Sequence, residues 1–233
     1  MTFDALVGVF LCGCGECAPD RDHWERMLGE VDTVLRDAGL PAHHEPRSVA
    51  GIDPPLGPED DPCLLGVGLG FYSDRKYQRL AQFAQYVAVH RAAPPDDEFR
   101  PEVEEAYDAL PDRRVAFDHL IAAVGMETLV LPGRFDRVLA AYGRSDMFCR
   151  IASAGRLLTE AVALEYVLRG TDSPVLDRLR GRRLDDLSFA ELDARIAADD
   201  DTAEQWCNEL NLCARLVRLA SNVLRSGALA VTG

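Results

Sequence analysis

The chain has 233 residues, 48% of them hydrophobic, and carries 39 carboxylates against 25 lysines and arginines, a formal net charge of −14. That much apolar content excludes global disorder. The charge excludes a general cationic face for nucleic acid or anionic membrane, because phosphate binding needs concentrated positive charge. A basic protein partner suits the balance instead.

Lys76 is the sole lysine, and so strong an arginine skew fits the codon usage of a GC-rich bacterial genome. The length predicts one domain over residues 1–233, with an internal boundary near 93–101 at the acidic, proline-bearing APPDDEFRPE. Seven cysteines form an odd set in a chain too long to need a disulfide framework, which predicts a reducing cytoplasm. No apolar run approaches the roughly 18 residues of a membrane span.

Phe3 to Leu11 are almost continuously apolar and lack a helical period, which predicts a buried strand. A cysteine turn follows. Asp22 with Glu25 then reads as a helix cap, Trp24, Met27, Leu28, Val31, Val34, Leu35 and Ala38 recur at helical spacing, and Gly39 stands where the helix stops. Residues 41–62 carry six prolines and predict a long loop.

CLLGVGLG predicts a short strand and a tight glycine turn into a helix capped by Ser73 or Asp74, with Tyr77, Leu80, Ala84 and Val87 on its buried face. The glycines at 66, 68 and 70 lack both the spacing and the later acidic residue of a dinucleotide-binding turn. Helices dominate from 102 onward, interrupted by METLVLPG as a strand. A long helix is predicted over 146–169, with Ile151, Leu157, Leu158 and Ala161 among its apolar positions and Cys149 inside it as a small hydrophobe.

Capping boxes at Ser188/Glu191 and Thr202/Gln205 open two more helices, the second running to about Ser226, and the tail ALAVTG either adds a short strand or frays. The order predicts an α+β or α/β fold: a small sheet of three or four strands and a majority of helices.

Two functional readings stand. Cys12, Cys14 and Cys17 have a C-x-C-x-x-C spacing that places three thiolates on one turn, and His43 completes a four-ligand zinc set, with His23 and His44 as other candidates. The same thiols centre the alternative of a metal- or thiol-dependent enzyme, although Asp20 and Asp22 oppose thiolate formation there. His119 in VAFDHLIAAV reads as a hydrogen-bonded core residue.

The other reading, preferred because no complete catalytic constellation occurs, is a non-enzymatic binding or regulatory protein resembling an immunity protein. It engages a basic partner through acidic loops, at Glu59, Asp60 and Asp61 and at Asp96 and Asp97, and binds neither nucleic acid nor membrane. Oligomeric state has no signal in the sequence.

Overall fold

The computed structural model describes residues 4–11, 21–48, 52, 67–68, 74–96, 98, 100–111, 116–125, 127–145, 148–170 and 206–232. The first apolar run is a strand only over Asp4–Val7 (β1). Gly8 ends it at φ +75°, and the Leu11 N–H closes a turn on the Gly8 carbonyl at 3.1 Å. Only a residue without a Cβ takes that conformation cheaply.

Helix α1 spans Arg21–Asp37 and buries Met27, Val31, Val34 and Leu35. It starts one residue before the expected cap, so Asp22 lies in the first turn, where its charge suits the helix dipole. Gly39 stops the helix at φ +70°, with the Leu40 N–H on the Leu35 carbonyl at 2.9 Å.

Strand β2 (Val67–Gly68) precedes α2 (Asp74–His90), whose Tyr77, Leu80, Ala84 and Val87 are all buried as their spacing predicts. After them come α3 (Pro101–Asp108), α4 (Asp118–Ala123), β3 (Thr128–Leu131) and β4 (Leu139–Ala140).

The helix expected over 146–169 is corrected here. Arg150–Ser153 is a strand, β5, and only Ala154–Arg169 is helical (α5). Ile151 and Ala152 pair in parallel with Leu129 and Val130, and the Ser153 hydroxyl accepts the Arg156 N–H at 3.4 Å to cap the helix that follows. Cys149 therefore sits at a bend ahead of the strand, its thiol 2.9 Å from the Glu127 carboxylate, which holds the thiol above its usual range.

Helix α6 (Cys207–Ser226) and β6 (Ala230–Thr232) close the described chain. The Ser188/Glu191 helix and the Thr202/Gln205 cap fall outside the described residues.

The strands form one mixed sheet in the order β2-β1-β6-β3-β5-β4, with β3 and β5 parallel and every other neighbour antiparallel. Four of the six strands are three or four residues long, and β2 and β4 have two each. The C-terminal strand lies inside the sheet, between β1 and β3.

Successive strand residues face opposite layers, as the pleat requires. Leu129, Leu131 and Ile151 pack with the buried face of α1, while Val130, Ala152 and Ala230 pack with α2, α4, α5 and α6. The result is a helix-majority α+β fold with six helices among the described residues and helical cover on both faces of the sheet. Helices α5 and α6 make the most extensive helix pair, and α3 packs on α2 at the periphery. Among the described residues, no helix is long and apolar enough to cross a membrane.

Candidate partner-binding face

Between residues 96 and 108, DDEFRPEVEEAYD, the sequence carries seven carboxylates and one cation, Arg100. Pro101 begins α3, where its missing N–H costs nothing, and Glu102 and Glu104 place negative charge in the first turn. Val103 and Tyr107, four positions apart, are its two buried side chains, so a single stripe anchors the helix to the body of the protein. Glu102, Glu104, Glu105 and Asp108 are all exposed.

The ends of this acidic strip are fixed. Asp96 accepts from Arg100 Nη2 at 2.5 Å and from the Glu98 N–H at 3.1 Å, and these bonds hold its carboxyl below the usual range. Arg100 also lies over the Tyr86 ring, 5.9 Å from its centroid. At the other end the Tyr107 hydroxyl donates to Asp118 at the start of α4. A groove of about 620 Å³ runs beside α3, lined by Glu104, Asp108 and Asp118 and also by Arg137 and Arg150.

Two exposed carboxylates of α1 are neutralised. On α1, Glu25 is met by Arg47 at 2.8 Å and Arg21 at 3.8 Å, and Asp37 pairs with Arg144. In contrast, among the described residues Glu98, Glu102, Glu104, Glu105 and Asp108 have no ion-pair partner. From Glu102 to Asp108 the four on α3 span about 9 Å of helix axis, a mean axial interval of about 3 Å, close to the 3.4 Å per charge of a single DNA strand.

Of the residues singled out in the sequence, Asp96 belongs to this strip. Asp97, Glu59, Asp60, Asp61 and the three thiols Cys12, Cys14 and Cys17 lie outside the described residues. The His43 ring Nε2 is 2.7 Å from Glu45 Oε2, and the His43 backbone N–H donates to Asp32 at 3.0 Å. Glu45 Oε2 also accepts the Leu229 N–H at 2.8 Å, so the pair ties the loop after α1 to the entry of β6.

His44 is exposed, and His23 stacks edge-on against Trp24. Among the described residues, no group of three or more His, Cys, Asp or Glu is placed to hold a metal ion. The cysteines Cys149 and Cys213 are free.

The carboxylates of α3 are not among the contacts expected from the sequence, which stop at Asp97. The available signal was the isolated apolar pair Val103/Tyr107 at helical spacing after a proline, with acidic residues at most other positions.

No curated protein and no solved structure matches the chain. A model of one protein family does, over residues 1–232. With nearly its whole length matched, the chain belongs to the family described as "Putative DNA-mimic protein".

Proposed function

We propose that this protein is a binding protein that acts as an acidic decoy: it occupies the DNA-binding face of a basic DNA-binding protein and keeps duplex DNA off it. The observation that carries this reading is the run of unpaired, exposed carboxylates on α3, spaced along the helix much as phosphates are along one strand. Family membership supports it independently.

In mechanism the decoy competes for the arginines and lysines that neutralise phosphate. A rigid acidic strip presents its charge without ordering a flexible segment on binding, and the Arg100, Tyr86 and Asp118 contacts supply that rigidity. The net charge of −14 steers the encounter with a cationic partner and weakens any approach to DNA itself. We retain the acidic runs at Glu59–Asp61 and Asp96–Asp97 as further proposed partner contacts on their charge alone.

The test immobilises the full chain, loads the basic DNA-binding proteins of its own source, and elutes with duplex DNA at physiological salt. Release of a DNA-binding protein by DNA, and not by an equal concentration of a neutral polymer, supports the decoy. Retention of nothing that DNA releases overturns it.

A further inference from the structure

A cavity of about 350 Å³ opens between the C-terminal end of α1, the loop that follows it, and the chain leaving β3. Its volume lies in the range of small-molecule sites, about 300 to 1,000 Å³. Leu35, Leu40, Leu131 and Phe135 give it apolar walls, and Arg134 and His44 supply its polar side chains together with His43.

Three features separate it from a packing defect. In a chain with 39 carboxylates, none among the described residues lines this cavity. Arg134 and His44 are exposed, and among the described residues neither is engaged in an ion pair or side-chain hydrogen bond. His43 is already committed to Glu45, which fixes the loop that forms one wall. The cavity also sits beyond the C-terminal end of β3, one of the two parallel strands, the edge at which open α/β sheets bind ligands.

We infer that this cavity binds a small organic carboxylate with an aromatic or aliphatic body, the body lying against Leu35, Leu40, Leu131 and Phe135 and the carboxylate meeting Arg134, with His44 beside it. Charge complementarity selects the anion, since a guanidinium pairs with carboxylate in two parallel hydrogen bonds and the described wall residues offer a cation no counter-charge. The site is independent of the decoy reading. A neutral ligand of the same shape keeps the apolar contact but loses the charge-assisted bonds.

The experiment titrates the full chain with 2-naphthoate and, separately, with neutral 2-naphthylmethanol, following backbone amide shifts and calorimetric heats. The inference predicts saturable naphthoate binding with shifts at residues 40–44 and 131–135, weaker binding of the alcohol, and about tenfold weaker naphthoate binding in Arg134→Ala. Arg134 is exposed, so that variant is expected to fold. Ala42→Trp, at an exposed wall position, fills the cavity mouth and blocks both ligands. No saturable binding at millimolar naphthoate, or binding unchanged in both variants, overturns the site.

Discussion

Glu160 on α5 caps the start of α4, forty residues away in sequence: its Oε2 accepts the Leu120 N–H at 2.9 Å. Arg156 Nη2 stands 3.4 Å from the other oxygen. Next to Leu120, His119 is fully buried, and its Nδ1 accepts the Ser153 N–H at 2.9 Å. Burial pushes the Glu160 carboxyl up to about 7 and the His119 ring down to about 4. Each shift favours the neutral form.

These two groups predict opposing pH dependences. Folded Glu160 holds its proton more tightly than unfolded Glu160, so its contribution is complete below about 4.5 and is lost as pH rises toward 7. His119 binds its proton less tightly when folded, so its contribution grows as pH rises from about 4 to 6.5. Between about 4.5 and 6.5 the slopes cancel. Glu160→Gln removes one of them, and its unfolding free energy is expected to rise by about 1.4 kcal/mol per pH unit in that window relative to the parent chain. Urea unfolding at several pH values reads the difference, and parallel profiles would contradict it.

The Glu45 carboxylate, with only 2% of its side chain exposed, serves both His43 and the Leu229 N–H. Glu45→Ala leaves a buried amide and a histidine without their acceptor, and is expected to cost about 2 to 4 kcal/mol. His43→Ala is expected to cost less, about 1 to 2 kcal/mol, because Leu229 keeps its bond. Equal urea midpoints for the two variants would count against this ordering.

Tyr107 is the deeper anchor of α3, and its hydroxyl reaches Asp118. Tyr107→Phe keeps the ring buried and is expected to lower stability by about 1 kcal/mol. Amide exchange over 102–108 should quicken more than in α5 or α6. Uniform change across the chain would show that the bond does not specifically hold the acidic helix.

What was legible followed from periodicity. Tyr77, Leu80, Ala84 and Val87 announce the buried face of α2, and Met27, Val31, Val34 and Leu35 that of α1. The tail read equally as a strand or a frayed end, and its central place in the sheet was hidden, since that depends on pairing with β1 across nearly the whole chain.

Strand β5 was hidden because four residues ahead of a long helix share its apolar character, and only pairing with β3 distinguishes them. The His43–Glu45 contact was not legible because it depends on Glu45 being held in turn by the distant amide of Leu229. Helix α3 falls at the start of the region expected to be helical from 102 onward, but with just Val103 and Tyr107 to bury it has little periodic signal of its own. The surface that matters most to the proposed function is therefore the one with the weakest hydrophobic signal.

The most direct measurement is displacement of duplex DNA from a basic DNA-binding protein of the same source, with the parent chain and with the variant carrying Glu102→Gln, Glu104→Gln, Glu105→Gln and Asp108→Asn. These four side chains are exposed and make no ion pair among the described residues, so the variant is expected to keep the fold. The account predicts that the parent displaces DNA, less effectively as salt rises, and that the variant needs at least about tenfold more protein for the same displacement. Equal displacement by the two proteins would contradict the claim that α3 stands in for DNA.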